Sequence, residues 1–133
     1  MLVEKKSFNP SEITVLIVDD EPDILELMEE EFTYHGYQTL TAECGNDAID
    51  LISKSDIHIV VSDYKMPNGN GMAVLDAVNK IGESDRPHFF FVSGQADISI
   101  EEALKGGAKK FFTKPFDLEE LIKEIESEIT SES

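Results

Sequence analysis

The amino-acid sequence predicts an α/β domain: a doubly wound, five-stranded parallel sheet with helices on both faces. Three segments are β-branched and almost wholly apolar, which is typical of strands buried on both sides of a parallel sheet. Helical patterns alternate with strand patterns along the 133 residues. Strict alternation of this kind is typical of right-handed crossover connections, so the strands are expected to run parallel.

Five segments are predicted to be strands. The three most apolar ones are residues 13–18, 57–61 and 88–92, and two shorter candidates are residues 37–41 and 109–112. A strand that is apolar on both sides has to be covered on both sides, which places the helices in two layers around the sheet.

Each predicted strand is followed by a helical pattern. Pro22 suits the first turn of a helix, and apolar residues then recur at helical spacing until Gly36 ends the pattern. Two more helices are predicted after the second and third strands. The fourth and fifth helices begin at capping boxes, at residues 99–102 and 117–120.

The composition limits the class of protein. Hydrophobic residues make up 41% of the chain, and 28 acidic against 11 basic residues give a net charge of −17. Such a charge disfavours nucleic acid and membrane as direct partners and favours a cation or a basic protein surface. The single cysteine, Cys44, and the lack of an apolar run of about 20 residues predict a cytoplasmic protein.

Polar side chains follow four of the five predicted strands. Asp19 and Asp20 follow the first strand, Asp63 the third, Ser93 the fourth and Lys114 the fifth. In open α/β sheets, ligands bind beside the carboxyl ends of the strands, where the strand order reverses. One polar strand end is common, but four at the same edge predict a functional site.

If the first and third strands are neighbours, the three carboxylates lie close together and predict a cation site. Two carboxylates about 4 Å apart repel each other by roughly 4 kcal/mol at an effective dielectric constant near 20, so three together need a cation or shifted pKa values. Ligation by oxygen alone, with positions left open, suits Mg²⁺ better than Zn²⁺. A carboxylate beside such a metal can also form an aspartyl-phosphate, and Lys114 and Ser93 would then contact phosphoryl oxygens.

The same residues match a known family. Over about residues 13–128 the sequence resembles the response-regulator receiver domain, or CheY-like fold. The matching motifs are Val-Asp-Asp-Glu-Pro at 18–22, Ser-Asp-Tyr-Lys-Met-Pro at 62–67 with Gly71, Val-Ser-Gly at 92–94 and Phe-Thr-Lys-Pro-Phe at 112–116. Each motif is weak alone, but four in order and at fitting separations are specific. The resemblance implies the flavodoxin-like strand order 2-1-3-4-5.

The resemblance implies a role for each of the three aspartates at the strand ends. Asp63 would be the phosphoacceptor. Mg²⁺ would be bound directly by Asp20 and Asp63, through water by Asp19, and by the backbone carbonyl of Lys65.

The resemblance also assigns four residues near the fourth and fifth strands. Ser93 takes the Thr/Ser switch position and Lys114 that of the family's lysine. The bond between Lys114 and Pro115 would be cis, which aims the lysine inward. Phe111 takes the aromatic switch position, where family members often have tyrosine, so a hydroxyl-mediated signal is excluded.

The predicted function is a phosphorylation-activated switch of a two-component phosphorelay. The output face would be formed by the fourth helix, fifth strand and fifth helix, with Ile98, Ile100 and Leu104 available to a partner. The expected partners are a histidine kinase or phosphotransfer protein and a downstream protein target, with the chain a monomer or a phosphorylation-dependent dimer. The chain would be no enzyme beyond its own phosphorylation and dephosphorylation.

The domain is expected to cover residues 13–129, with tails at residues 1–12 and 130–133. Because the chain ends soon after the fifth helix, a stand-alone receiver without an attached output domain is expected.

Two other function classes were compared with this prediction. A phosphatase that forms an aspartyl-phosphate needs Asp-x-Asp after a strand, whereas Asp19 and Asp20 are adjacent. A phosphorylation-independent adaptor with the same fold typically lacks one of the acid pair, the acceptor or the lysine, and this chain retains them all. The switch is therefore favoured.

No further site is predicted from the motifs. His35, His58 and His88 are scattered without metal-ligand spacing, so surface or packing roles are expected for them. Residues 69–74 begin like a dinucleotide fingerprint but lack its third glycine.

Overall fold

The computed structural model describes residues 9–64, 66, 70–94 and 100–130. The strands are β1 (Thr14–Val18), β2 (Gln38–Ala42), β3 (Ile59–Asp63), β4 (His88–Ser93) and β5 (Lys110–Thr113). They pair in parallel in the order β2-β1-β3-β4-β5. The helices are α1 (Pro22–Tyr34), α2 (Gly45–Lys54), α3 (Gly71–Asn79), α4 (Ile100–Lys105) and α5 (Leu118–Thr130). This order confirms the predicted doubly wound sheet.

The strand order reverses between β1 and β3, which are neighbours at the centre of the sheet. In their register Val18 lies opposite Ser62, so the residues that follow these two positions lie side by side at the carboxyl edge of the sheet. Ligand sites of open α/β sheets form in the crevice at this reversal.

Helices cover the sheet on both faces, because successive strand residues point in opposite directions. Leu16 and Val60 pack on the side of α2, α3 and α4, whereas Val15 and Val61 pack against α1 and α5. Phenylalanines of β4 enter both layers, and all three are buried. Among the described residues, no helix combines the length and the apolar character needed to cross a membrane.

The third strand lies two residues later than the sequence pattern predicts. The apolar segment begins at residue 57, but pairing with β4 starts at Ile59, opposite His88. His58 instead takes part in the connection to β1: its backbone N–H donates to the carbonyl of Thr14, and its Nδ1 accepts from the Thr14 N–H at 3.0 Å. At the other end the pairing continues through Asp63, because hydrogen bonds to β4 extend past the last apolar residue.

A short 3₁₀ turn, Pro10–Glu12, precedes β1. The side chain of Asn9 caps this turn by accepting from the backbone N–H of Ser11 at 3.2 Å. The amide of Gln38 donates to the carbonyl of Ser11 at 2.8 Å, which ties the turn to the start of β2.

Candidate functional site

Three aspartates lie together at the carboxyl edge of the sheet. Asp19 follows β1 directly, and Asp63 is the last residue of β3. One carboxylate oxygen from each of Asp19, Asp20 and Asp63 lies within 4.8 Å of the other two. Asp19 and Asp63 are buried and Asp20 is exposed. The structure therefore brings together the three carboxylates that the sequence analysis grouped.

The turn after β1 fixes the position of the Asp19 carboxylate. The backbone N–H of Asp19 donates to the carbonyl of Ala42 at 3.1 Å, so sheet pairing holds the residue itself. Its Oδ1 accepts from the backbone N–H of Glu21 at 2.9 Å. Pro22 then begins α1 at a position where the missing N–H has no helical partner to lose. The side chain is thus held by the turn from strand to helix.

Asp63 is buried with both carboxylate oxygens in polar contact. Oδ1 accepts from the backbone N–H of Tyr64 at 2.8 Å, and Oδ2 accepts from Nζ of Lys114 at 3.3 Å. Burial raises the pKa of Asp63 to about 6; the charge of Lys114 opposes this rise and that of Asp19 adds to it. Asp63 is therefore mainly ionised at neutral pH, as a nucleophile or metal ligand must be.

Lys114 places a positive charge between the two buried carboxylates. Its backbone N–H donates to the carbonyl of Ser93 at 2.8 Å, and its peptide bond to Pro115 is cis. Nζ lies 3.1 Å from Oδ2 of Asp19 and 3.3 Å from Oδ2 of Asp63. Burial acts to lower the pKa of Lys114, but the hydrogen bond to Asp19 and the charges of Asp63 and Asp19 outweigh burial and raise it. The side chain is an ammonium at neutral pH.

The charge and the donor atoms of this cluster fit a hard divalent cation. Three carboxylates and one ammonium give a formal net charge of −2 in a pocket where two of the three carboxylates are buried. The donors are oxygens, and Asp20 lies at the solvent side, so positions for water remain open. Mg²⁺ is bound in proteins in this manner. Lys65, whose carbonyl the resemblance adds to the ligands, lies outside the described residues.

Ser93 and Phe111 lie on the neighbouring strands β4 and β5. Ser93 is the buried last residue of β4. Phe111 is half-buried, with its ring centroid 6.0 Å from that of Phe91 and 6.2 Å from that of Tyr64. Tyr64 packs edge-on against Phe91 at 5.2 Å. An aromatic cluster thus connects the residue after Asp63 with β5.

Two contacts of the site were not foreseen from the sequence. Gly71, known only as part of a motif, packs so closely that a Cβ would lie 2.6 Å from the carbonyl oxygen of Asp63. Glu21 places a carboxylate oxygen 3.7 Å from Nζ of Lys114. The identity of a glycine or a glutamate carries no sequence signal for such contacts, because they depend on how the chain folds between the two positions.

An apolar groove opens beside Lys114, between α1 and the start of α5. Its volume is about 360 Å³, and its walls include Leu27, Met28 and Phe116. Leu27 in this wall is 56% exposed. The groove ends at the lysine that contacts Asp63.

The sequence is similar to those of known proteins over most of its length. Residues 15–126 match the response regulator receiver domain. The chain is 36% identical over 107 residues to sporulation initiation phosphotransferase F of Bacillus subtilis, covering 80% of this chain and 86% of that protein. It is 35% identical over 108 residues to the response regulator SaeR of Staphylococcus epidermidis, covering 81% of this chain and 46% of SaeR. The chain thus spans about half the length of SaeR.

Solved structures share the fold. A response regulator receiver domain protein from Clostridium thermocellum superposes with a TM-score of 0.80 and 26% identity, covering 90% of this chain and 95% of that one. The response regulator TrrA from Thermotoga maritima, solved in complex with Mg²⁺ and BeF, gives a TM-score of 0.76 and 26% identity, covering 86% of this chain and 97% of TrrA. The chain therefore belongs to the response regulator receiver domain family of two-component signalling proteins.

Proposed function

We propose that this chain is a phosphorylation-activated switch in a two-component phosphorelay, with Asp63 as phosphoacceptor and Mg²⁺ as cofactor. The observation that carries the proposal is the surroundings of Asp63: a buried, ionised carboxylate in contact with an ammonium and close to two further carboxylates. The likeness to a phosphotransferase and to a receiver solved with Mg²⁺ and BeF supports the same chemistry.

In the proposed step a carboxylate oxygen of Asp63 attacks the phosphorus of a phosphohistidine or of acetyl phosphate. A bond from this oxygen to phosphorus forms while the bond from phosphorus to the donor breaks, and the donor keeps the electron pair. Asp19, Asp20 and Asp63 would hold Mg²⁺, which would supply positive charge to the phosphoryl oxygens when bound. Lys114 would bind one phosphoryl oxygen, since its Nζ already lies 3.3 Å from the acceptor, and the hydroxyl of Ser93 would donate to another.

The groove beside Lys114 is the proposed docking site of the donor, a histidine kinase or phosphotransfer protein. Its apolar walls could receive a helix of the donor, and its position next to Lys114 would bring a donor histidine close to Asp63. The acidic composition argues against nucleic acid or membrane as the partner. A histidine kinase or phosphotransfer protein as the partner implies a cytoplasmic location for this chain.

The first test of this function is phosphorylation of Asp63. Incubation with acetyl phosphate and Mg²⁺ should add one phosphate to the native protein, measured by intact mass. Asp63→Asn should lose the labelling, because an amide oxygen is a poor nucleophile. Asp56→Asn, the same change at an exposed position outside the site, should be labelled like the native protein.

The outcomes of this test separate the three function classes. Labelling of Asp63→Asn to the native level would contradict the acceptor assignment. A native protein that takes up no phosphate, with Mg²⁺ present, would favour the adaptor. Steady release of many equivalents of phosphate per chain from a broad set of phosphate esters would favour a phosphatase.

The output of the switch is proposed to pass through Ser93 to Phe111 and the face formed by α4, β5 and α5. Phosphorylation adds charge and strong acceptor oxygens at the sheet edge, which would draw the Ser93 hydroxyl towards Asp63 and let Phe111 turn inward. Leu104 on this face is 43% exposed. Ile98 and the side chain of Ile100 lie outside the described residues.

A Ser93→Ala variant tests this coupling. Beryllofluoride, a phosphoryl mimic, should still bind near Asp63, but the backbone amide shifts of α4 and Phe111 should fall to less than about half of those in the native protein, because the methyl group cannot donate. Thr113→Val removes a hydroxyl from the paired position on β5 and should leave the response intact. Equal shifts in Ser93→Ala and the native protein would contradict the mechanism.

A further inference from the structure

A second cluster of potential metal ligands lies between α1 and α5, away from the aspartates. Glu31 and His35 are four residues apart, one in the last turn of α1 and the other at its C-cap, so they lie on the same side of the helix. Glu119 belongs to the first turn of α5. One ligand atom from each of the three lies within 4.8 Å of the others.

One ring nitrogen of His35 neither accepts nor donates a hydrogen bond within the described part of the chain. This atom, Nε2, is buried although the side chain as a whole is 28% exposed, and Oε2 of Glu31 lies 3.4 Å away. This separation exceeds the usual 2.7–3.2 Å of a hydrogen bond. It equals the separation of about 3.3 Å between two ligand atoms on a tetrahedral zinc ion, which follows from metal–ligand bonds of about 2.0–2.1 Å.

The charges and donors of the cluster favour a transition metal over Mg²⁺. The two glutamates carry a formal charge of −2, and no lysine or arginine of the described residues forms an ion pair with either of them. Imidazole nitrogen suits Zn²⁺ and its neighbours, whereas Mg²⁺ selects oxygen. Glu119 is exposed, so its side chain can move the short distance needed to close around an ion.

We propose that Glu31, His35 and Glu119 form a binding site for Zn²⁺ or a similar divalent transition metal, separate from the aspartate cluster. An ion at this site joins the end of α1 to the beginning of α5, the two helices that cover one face of the sheet. Since it binds only the folded chain, it stabilises that pair of helices. Water fills the remaining coordination positions. The site does not depend on the phosphorylation proposed above.

Zinc titration of the native protein, with millimolar Mg²⁺ present to occupy the aspartate cluster, tests the proposal. Calorimetry should give one zinc equivalent, and the melting temperature should rise. In NMR spectra the ring signals of His35 should shift, while those of His58 and His88 should stay in place and serve as internal controls. Asp63→Asn should bind zinc with unchanged affinity.

Variants with matched controls separate this site from adventitious binding. His35→Ala should weaken zinc binding by at least about tenfold. Losing a residue that only hydrogen-bonds to a metal ligand already lowers metal affinity by about 10–100-fold. Glu119→Gln should also weaken binding, whereas Glu120→Gln, the same change one residue on and equally exposed, should not. The fold of Glu119→Gln is expected to be intact, since the residue is exposed. Native affinity in His35→Ala, or equal effects of Glu119→Gln and Glu120→Gln, would overturn the proposal, as would zinc uptake that Asp63→Asn abolishes.

Discussion

Replacing Asp63 by asparagine is expected to stabilise the metal-free protein at pH 8. The pKa of Asp63 is raised from 3.8 to about 6, chiefly by burial, so the folded state binds this proton more tightly than the unfolded state does. The group therefore contributes most to stability at about pH 4 and below, and this contribution is lost as the pH rises through 6. The loss amounts to roughly 2–3 kcal/mol above pH 7. Asparagine is neutral at every pH, so the variant does not lose stability in this way.

Urea unfolding between pH 4.5 and 8, with a chelator present, measures this effect. The difference in free energy of unfolding between Asp63→Asn and the native protein should grow from about 1 kcal/mol at pH 4.5 to roughly 2–3 kcal/mol at pH 8. Asp56→Asn, at an exposed position, should show no such dependence. A difference that shrinks as the pH rises would contradict the raised pKa.

Mg²⁺ is expected to offset most of this difference in stability. An ion that binds only the folded state stabilises by about 2.7 kcal/mol at a hundredfold excess over its dissociation constant. The native protein should gain stability in this way, whereas Asp63→Asn and Asp20→Asn should gain little. Asp20→Asn should also melt higher than the native protein without metal, because one of three like charges is gone. A native melting curve that Mg²⁺ leaves unmoved would remove the basis for the metal site.

The general position of the site could be predicted from the sequence because few physical rules determine it. Apolar β-branched segments predict buried parallel strands, and alternation with helices predicts where the carboxyl ends of these strands meet. Asp19 follows one predicted strand directly, and Asp63 and Lys114 each come two residues after another. Their proximity then follows from the strand order 2-1-3-4-5, which the resemblance to receiver domains implied and the structure confirms.

The finer contacts could not be predicted because they depend on register and on side-chain packing. The pattern of β3 ends at the last apolar residue, yet pairing with β4 holds Asp63 inside the strand. Asn70 caps α3 by accepting from the backbone N–H of Ala73 at 3.0 Å, and Gly71 is the first helical residue, so the start of this helix is set by a side-chain contact and not by the apolar pattern. A search for spacing between histidines alone could not find His35 with two glutamates, one of them on another helix.

Gly71→Ala is expected to destabilise the protein and to disturb the acceptor. The added Cβ would lie 2.6 Å from the carbonyl oxygen of Asp63, 2.6 Å from Cε1 of Phe91 and 3.0 Å from Cα of Tyr64. Two of these neighbours are backbone atoms, which cannot yield as the end of a flexible side chain does. The backbone N–H of Gly71 also donates to the carbonyl of Tyr64 at 2.8 Å. Overpacking of this kind costs about 1–3 kcal/mol.

Gly82→Ala provides the matched control, because a Cβ there would meet nothing within 4 Å and its φ of −57° suits any residue. It should be neutral or stabilising by up to about 1 kcal/mol, since alanine restricts the unfolded chain. Urea unfolding of the two variants should therefore differ by roughly 1–4 kcal/mol. The strain in Gly71→Ala should also move Asp63 relative to Lys114 and slow labelling by acetyl phosphate, whereas Gly82→Ala should be labelled at the native rate. If both variants matched the native protein in stability and labelling, close packing of α3 against the end of β3 would have no part in holding the acceptor in place.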